Sequence, residues 1–506
     1  MEKATINLVT RSHATQLLLI ISTLFASTWS FNALEVTAQA LLVGFKATPS
    51  HSVSSFHPLL SDSTGNFSLG FLRVNQTQLS LTVIHNPTLQ PLWQASPTTT
   101  LFSWSEKTLL FFNGSLVLSD QHAGLFWSTA TTNGDKVVLL NSSNLQILNT
   151  ADPPGVVWQS FDFPTDTLVE NQDFRSDMTL VSSNGVYSMR LGDDYMALYA
   201  KFQGNEEQIY WKHKALEAKA AVVEGNGPIS ARVNAAGYIG MYQNGSTTPV
   251  DVQPFNSFQR PINRFLLVRL EQDGNLKGYY WDGTNWDLDY QAISDMCQLP
   301  SPCGPYGLCR GSGCSCLDNT TQLLGWGQCY AGQPGDLCSG GGDDKPKIGN
   351  NFWVLRRKGV DLPYKELMDY KMATSLENCE GYCEGNCSCW GAVYNNASGF
   401  CYLVDYPIQT LLSVGDEGKM GYFKVGKSAE KKKNVGLAVG VGVGVGSVVI
   451  LGLLGSVGLV GCKIWRTRGE RRRGVKRVLE EDEGVSPGPY KNLGSPSFSS
   501  IEMSPR

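Results

Sequence analysis

The feature that most constrains this chain is an uncharged apolar segment near its C-terminus. Residues 435–461 read VGLAVGVGVGVGSVVILGLLGSVGLVG, twenty-seven residues without a charge. A helix rises about 1.5 Å per residue and the hydrocarbon core of a bilayer is about 30 Å thick, so this length predicts one transmembrane helix. The alternative, a buried core helix, is disfavoured because so glycine-rich a helix would be weak in water.

The charged flanks of this segment predict its orientation. Three lysines at 431–433 precede it, and a denser basic set follows it between Lys463 and Arg477. The larger positive cluster belongs in the cytosol, so we expect the N-terminal part of the chain outside the cell. The basic set also lies where anionic lipid headgroups would meet it, and the overall net charge of −4 gives no indication of nucleic-acid binding.

The N-terminus is consistent with this orientation. Lys3 and Arg11 precede the apolar residues 17–26, which are too few to span a bilayer but typical of a secretory signal peptide. We therefore interpret residues 1–30 as a signal peptide, with cleavage anywhere from 26 to 40. An uncleaved anchor is the alternative. Together the two apolar segments predict a single-pass type I protein of the plasma membrane.

Cysteine placement indicates an oxidising compartment. Of thirteen cysteines, twelve lie between Cys297 and Cys401, and an even number in the lumen predicts six disulfides. Zinc is the rival for the closely spaced cysteines from Cys379 to Cys389, and full pairing in an oxidising lumen favours disulfides over it. Cys462 remains unpaired in this scheme, at the cytosolic end of the apolar segment. It is either a site of reversible palmitoylation or a free thiol without a role.

Asn-x-Ser/Thr sequons agree with a secreted face. Every sequon precedes the apolar segment, as expected if that part of the chain enters the secretory pathway. The predicted glycosylation sites are Asn66, Asn75, Asn113, Asn141, Asn244, Asn319, Asn386 and Asn396.

The chain before the cysteines reads as short β-strands. Residues 41–175 contain strand-length apolar runs bounded by Gly, Asn, Ser and Pro, without helical periodicity, which predicts an all-β sandwich or prism. Residues 176–290 form a second β-rich region. Buried aromatic residues and a Pro-Thr-Asp turn in Trp158–Thr167 would close the first region.

Several of these motifs resemble those of the plant S-locus glycoprotein and G-type (S-domain) lectin receptor family. The similar segments are Gly65–Phe71, Leu125–Thr129, Trp158–Thr167 and Leu270–Trp281. The resemblance implies a mainly β fold with two tandem bulb-lectin-like domains, a disulfide-rich EGF-like module, a small α+β PAN/apple domain, one transmembrane helix and a disordered tail. The expected ranges are 41–175 and 176–290 for the two bulb-lectin-like domains, 291–332 for the EGF-like module and 338–425 for the PAN/apple domain. The transmembrane helix is expected at 435–461 and the tail at 462–506.

The family's ancestral mannose site is Gln-x-Asp-x-Asn-x-Val-x-Tyr. Frames around Asn113 and Asn144 lack its Gln/Asp pair. The closest frame lies in the second β region, where Glu replaces Gln and Lys replaces Val. We take Asp273, Asn275 and Tyr279 as candidate sugar contacts; the alternative is an Asp-Gly-Asn turn between two strands.

The cysteine spacing resembles two modules of the same family. Cys303–Cys309 matches the CG-x-[FY]-G-x-C core of its EGF-like module, and the cysteines around Ser375, a plausible helix N-cap, resemble its PAN/apple domain. Only Asp295 would suit calcium before the first EGF cysteine, so we expect no calcium. The resemblance implies the pairs Cys297–Cys309, Cys303–Cys314, Cys316–Cys329, Cys379–Cys401 and Cys383–Cys389, and leaves Cys338 and Cys387 to each other.

No catalytic constellation emerges from the sequence. The histidines are scattered, and the forty-five residues after the apolar segment are too few for the family's kinase. We therefore expect a non-enzymatic surface glycoprotein, without cofactor or metal, that recognises an extracellular protein or peptide. GxxxG steps at 436–444 favour lateral pairing with itself or a receptor kinase. A carbohydrate-binding receptor and a structural, wall-associated glycoprotein are the alternatives.

Overall fold

The computed structural model describes residues 39–95, 102–120, 124–201, 207–215, 227–243, 245–260, 265–311, 313–317, 322–323, 329–330, 352–386, 388–405 and 408–426. The predicted signal peptide, transmembrane helix and tail lie outside these residues, as do Asn244, Asn319 and the Cys338–Cys387 pair. Within the described residues no helix is both long and apolar enough to cross a membrane.

The first β region forms three antiparallel sheets around one core. Its strands are β1 (Leu41–Leu42), β2 (Lys46–Ala47), β3 (Phe56–Ser61), β4 (Phe67–Arg73), β5 (Gln78–His85), β6 (Gln90–Gln94), β7 (Phe102–Ser103), β8 (Thr108–Phe112), β9 (Leu116–Asp120), β10 (Gly124–Ser128), β11 (Lys136–Leu139), β12 (Leu145–Asn149) and β13 (Gly155–Gln159). The sheets have the orders β3-β4-β5-β6, with β7 on β5; β10-β9-β8-β2; and β1-β11-β12-β13. Three such sheets make a β-prism, one of the two folds expected.

One tryptophan from each sheet meets at the centre of this first prism. Trp93 on β6, Trp127 on β10 and Trp158 on β13 form three edge-to-face pairs, with ring centroids 5.8, 5.8 and 6.1 Å apart. Edge-to-face contact places the positive edge of one ring on the negative face of another. The tryptophans of the Leu125–Thr129 and Trp158–Thr167 motifs are therefore parts of the core.

The second β region repeats this architecture. Its strands are β14 (Thr167–Val169), β15 (Asp173–Phe174), β16 (Leu180–Val181), β17 (Tyr187–Leu191), β18 (Tyr195–Ala200), β19 (Gln208–Lys214), β20 (Ser230–Asn234), β21 (Tyr238–Tyr242), β22 (Asp251–Pro254), β23 (Leu266–Leu270), β24 (Leu276–Trp281) and β25 (Trp286–Gln291). They form the sheets β14-β23-β24-β25, β15-β20-β21-β22 and β16-β17-β18-β19. This is the second prism.

The division between the prisms differs from the expected boundary at residue 175. β14 pairs with β23, with Thr167 opposite Arg269, and β15 pairs with β20. Both strands therefore complete sheets of the second prism, although they lie within the range 41–175. The reason is that a strand of two or three residues pairs with whichever sheet offers it an open edge. Its own sequence does not specify which sheet that is.

At least one hairpin in each of the six sheets turns through a residue with positive φ. Glycine adopts a positive φ with little steric strain, because glycine has no Cβ. In five of the turns the residue's N–H also donates to the carbonyl three residues earlier; at Gly114 the turn is tighter. The residues are Gly65, Gly114, Ser143, Gly185, Gly237 and Gly274, with φ between 68° and 99°.

The cysteine-rich part forms one continuous unit. Its strands are β26 (Gly307–Arg310), β27 (Gly313–Cys316), β28 (Gln322–Leu323), β29 (Cys329–Tyr330), β30 (Phe352–Lys358), β31 (Val360–Asp361), β32 (Lys371–Met372), β33 (Cys389–Asn395), β34 (Phe400–Asp405), β35 (Leu411–Ser413) and β36 (Lys419–Gly426), with helix α1 at Leu376–Glu384. A five-stranded sheet, β30-β36-β33-β34-β32, carries the helix. The EGF-like hairpin β26–β27 joins the PAN strands β35 and β31 in one sheet, so the two expected modules share backbone hydrogen bonds.

Disulfides fasten helix α1 to the sheet beneath it. The Ser375 hydroxyl accepts a hydrogen bond from the Asn378 N–H at 3.3 Å, which makes Ser375 the N-cap, as predicted. Buried Lys424 donates to the Cys383 and Cys389 carbonyls, both at 3.0 Å, at the other end of the helix. The disulfides among the described residues are Cys297–Cys309, Cys303–Cys314, Cys316–Cys329, Cys379–Cys401 and Cys383–Cys389, the pairs that the resemblance implies.

Candidate functional site

The two prisms contact each other through an aromatic cluster. His85 of the first prism meets the rings of Trp281 and Trp286 of the second edge-to-face, at 4.9 and 5.1 Å, and Phe67 meets Phe265 at 5.0 Å. Because these rings come from sheets of different prisms and His85 is buried, the contact fixes one prism against the other.

Hydrogen bonds across the same junction reinforce it. The Trp286 indole N–H donates to Thr88 Oγ1 at 3.2 Å, and Arg269 Nη2 donates to the Pro91 carbonyl at 2.6 Å. Arg269 also binds Thr167 Oγ1 through Nε, at 2.8 Å. Arg269 thus links β6 of the first prism to β14 and β23 of the second.

Beside this junction lies the interprism cleft, a groove of about 600 Å³. It opens between β6 of the first prism and the β23–β24 hairpin of the second, and its walls carry charges of both signs next to aromatic rings. The lining residues used below are Gln90, Gln94, Asp166, Arg269, Glu271, Asp273, Lys277, Tyr279 and Trp286. Clefts of a few hundred cubic ångströms between domains are common ligand sites.

The sugar frame of the second prism lines this cleft, and its polar groups pair with each other. The Tyr279 hydroxyl donates to Glu271 at 2.8 Å, and Lys277 Nζ donates to Asp273 at 2.7 Å. Burial, followed by the hydrogen bond to Glu271, raises the pKa of the Tyr279 hydroxyl, so it stays a protonated donor. The Glu for Gln and Lys for Val replacements thus turn a set of sugar ligands into two internal pairs.

Asn275 does not contact the cleft, contrary to the prediction that it binds sugar. Its side chain is 2% exposed, donates to the Ile293 carbonyl at 2.7 Å and accepts from the Ile293 N–H at 3.1 Å. Because the amide is buried and both of its ends bind the backbone of Ile293, a sugar hydroxyl in the cleft does not reach it. The alternative reading, a turn between two strands, describes this residue correctly.

The corresponding position in the first prism behaves in the same way. Asn144, which follows Ser143 as Asn275 follows Gly274, accepts from the Ser160 hydroxyl at 3.2 Å and from the Phe161 N–H at 3.3 Å. In both prisms the asparagine after the turn ties its hairpin to a later segment. This position therefore serves the prism fold.

Six predicted glycosylation sites fall within the described residues, and all six are exposed. Each lies in or beside a turn, where a glycan would not meet a packed neighbour. They are Asn66, Asn75, Asn113, Asn141, Asn386 and Asn396. Occupancy of these sites remains a prediction, as does the palmitoylation of Cys462, which lies outside the described residues.

The described residues bring no three His, Cys, Asp or Glu side chains together in a way that could hold a metal ion. Asp295, the one carboxylate considered for calcium, instead caps a short 3-10 helix, Met296–Gln298, by accepting from the Cys297 N–H at 2.9 Å. Its position is explained by that local turn.

Comparison with known proteins decides the family. Residues 72–190 match the family described as D-mannose binding lectin, and residues 356–424 match the PAN domain. A PAN domain-containing protein of Arabidopsis thaliana is 54% identical over 495 residues, which is 97% of each chain. The chain belongs to the S-locus glycoprotein and G-type lectin receptor family.

Other relatives extend the comparison. EP1-like glycoprotein 4 of A. thaliana is 26% identical, covering 72% of this chain and 86% of its own length. The G-type lectin S-receptor-like serine/threonine-protein kinase SD2-5 of A. thaliana is 24% identical, covering 76% of this chain and 46% of its own length. These relatives support an extracellular, receptor-type role for the chain.

Sequence reasoning missed the first-prism side of the cleft. Gln90 and Gln94 lie on β6, whose sequence shows only a short strand, and Trp286 reads as an ordinary strand aromatic. The available signal was Trp93 on the same strand, because a large aromatic residue in a strand-length run is a candidate for the core. That signal does not indicate which residues of the strand face the second prism.

Proposed function

We propose that this protein is a cell-surface receptor-type glycoprotein that recognises an extracellular protein or peptide in the interprism cleft. The observation that carries the proposal is the internal pairing of Glu271 with Tyr279 and of Asp273 with Lys277. A neutral mannose ring would have to compete with both internal pairs, and its hydroxyls carry no charge that could replace the ammonium of Lys277 beside Asp273.

The charges of the interprism cleft suit a peptide better. Arg269 and Lys277 are cations, Asp166, Glu271 and Asp273 are anions, and Tyr279 and Trp286 supply apolar surface that keeps a polar tip. A peptide presents both signs of charge together with backbone donors and acceptors, so it can exchange pairs with the cleft without leaving a charge unpaired.

The remaining parts of the proposal rest on the sequence. An apolar segment at 435–461 would hold the protein in the plasma membrane, and its GxxxG steps would let a partner helix approach closely. We propose that a bound ligand changes this lateral pairing, with itself or with a receptor kinase, and that the chain itself catalyses no reaction.

A peptide selection tests the recognition role. Yeast displaying a random peptide library would be selected on the full-length protein in phospholipid nanodiscs. The charge reversal Lys277→Glu should abolish binding of most enriched peptides, because it places a third carboxylate beside Glu271 and Asp273. Lys358→Glu, which alters an exposed ion pair with Glu417 in the PAN domain, is the matched control.

Two results would contradict the proposal. One is that no peptide is enriched above empty nanodiscs. The other is that Lys277→Glu and Lys358→Glu affect the enriched peptides equally, which would place the contact outside the interprism cleft.

A further inference from the structure

A second groove, of about 1000 Å³, lies beside the three central tryptophans of the first prism. We call it the aromatic cleft. It runs between the β10 end of the prism and the segment that leads into the second prism. The lining residues used here are Gln94, Trp127, Phe163, Thr165 and Arg175. The second-prism sugar frame contributes none of its residues to this groove, so the aromatic cleft is separate from that frame, although Gln94 borders both clefts.

Phe163 gives this cleft an exposed aromatic platform that is held rigidly. Its side chain is 56% exposed, yet its ring stacks on Trp158 with centroids 5.6 Å apart and planes 11° apart. Its backbone is held as well, since its carbonyl accepts from the Trp93 indole N–H at 2.9 Å and its N–H donates to the Ser160 carbonyl at 3.0 Å. Because Trp127 lines the same groove, the fixed and exposed ring of Phe163 is part of an aromatic surface rather than an isolated exposed side chain.

Polar groups surround this platform with little free charge. Thr165 is 4% exposed, and its hydroxyl has no hydrogen-bond partner among the described residues. Gln94 accepts from the Ser80 hydroxyl at 3.2 Å through its carbonyl oxygen. Arg175 pairs with Asp162 at 3.0 Å and Asp177 at 3.3 Å, so the cation at the rim is already compensated. The Thr165 hydroxyl is covered by the protein itself, and the amide of Gln94 is the polar group used below.

We propose that the aromatic cleft binds a neutral oligosaccharide built of all-equatorial pyranose rings. Equatorial hydroxyls leave both faces of such a ring as C–H groups, and these carry the partial positive charge that the negative face of Phe163 attracts. The ring-edge hydroxyls then meet the side-chain amide of Gln94. Uronic acids fit poorly, because Asp162 and Asp177 already outnumber Arg175.

This inference goes beyond peptide recognition in the interprism cleft and does not depend on it. The binding probe is cellotetraose, a neutral all-equatorial oligosaccharide, added to the full-length protein in phospholipid nanodiscs. Tryptophan fluorescence reports binding, because Trp127 lines the cleft. Cellotetraose should change the fluorescence saturably, whereas tetragalacturonic acid, its acidic counterpart, should not.

The Phe163→Ala variant should weaken cellotetraose binding about tenfold or more through loss of the stacking platform. Phe163→Trp retains a platform and should bind within about threefold of the wild type. Tyr370→Ala removes an aromatic side chain of similar exposure, 53%, in the PAN domain and serves as the matched control. Unchanged thermal melting of each variant shows that the prism is intact.

Several outcomes would overturn the inference. One is the absence of a saturable response to cellotetraose, and another is an equal loss of binding in Phe163→Ala and Tyr370→Ala. A third is loss of binding in Asp273→Ala, which would show that the sugar binds at the mannose-type motif of the second prism. Failure of Phe163→Trp to bind while it melts normally would also refute the platform. An aromatic or proline-rich peptide that displaces cellotetraose and binds more tightly than cellotetraose does would identify the cleft as a peptide site instead.

Discussion

At the scale of the residue, the role of the Asn275 side chain is decided by its contact with a single residue, Ile293. Both of its hydrogen bonds go to the backbone of Ile293, eighteen residues later, and together they hold the β23–β24 hairpin to the segment that follows β25. Neighbouring Asp273 makes only local bonds, to the Asn275 N–H and to Lys277. Two residues of one sugar-like frame therefore contribute unequally to stability.

The Asn275→Ala variant tests this difference. Removal of the amide leaves a buried N–H and a buried carbonyl of Ile293 without partners, so the free energy of unfolding should fall by about 2–4 kcal/mol. Asp273→Ala, at a largely solvated ion pair, should cost less than about 1 kcal/mol. Urea unfolding with intact disulfides, followed by tryptophan fluorescence, measures both; equal losses would refute the structural role of Asn275.

At the scale of the element, the repeated hairpin organises both prisms. Gly274 has φ +85°, and its carbonyl accepts a hydrogen bond from the Tyr210 hydroxyl of another sheet. A Cβ at this position would lie 3.0 Å from two ring carbons of Tyr187. The turn therefore needs glycine both for its backbone conformation and for the close approach of two tyrosines.

The Gly274→Ala variant should lower the free energy of unfolding by about 1–3 kcal/mol, through a strained φ and displacement of Tyr187. Gly155→Ala is the control, because Gly155 has an ordinary φ and a Cβ there would meet nothing within 4 Å. That change should stay within about 0.5 kcal/mol. Urea unfolding midpoints distinguish the two; a neutral Gly274→Ala would show that the hairpin tolerates a side chain.

At the scale of the whole molecule, the two prisms depend on a contact that contains a buried histidine. His85 lies among Phe67, Trp281 and Trp286, and its Nδ1 atom is 3.0 Å from Thr88 Oγ1. Burial lowers the pKa of the His85 imidazole below its ordinary value of 6.5. The junction therefore contains a neutral ring that would have to gain a charge in acid.

The sign of the resulting pH dependence follows from that direction. The unfolded chain binds the His85 proton more readily than the folded chain, so the contribution of His85 is complete above about pH 6.5 and is lost as pH falls toward the folded-state pKa. We expect the melting temperature to fall between pH 7.5 and 5, and His85→Phe to reduce that fall. His51→Phe, at an exposed histidine, should leave it unchanged; identical pH profiles for both variants would contradict the prediction.

The sequence by itself determined the features that depend on neighbours along the chain. Ser375 caps its helix because the bond spans three residues, and the strand-length apolar runs predict an all-β fold, either a sandwich or a prism. Only the tertiary structure decided that Thr167 pairs with Arg269, that the EGF-like hairpin joins the PAN strands and that Asn275 binds Ile293. Short strands and turn residues offer similar hydrogen-bonding groups to many partners. Which of these partners is met depends on the packing of distant segments, and this packing creates both the interprism cleft and the aromatic cleft.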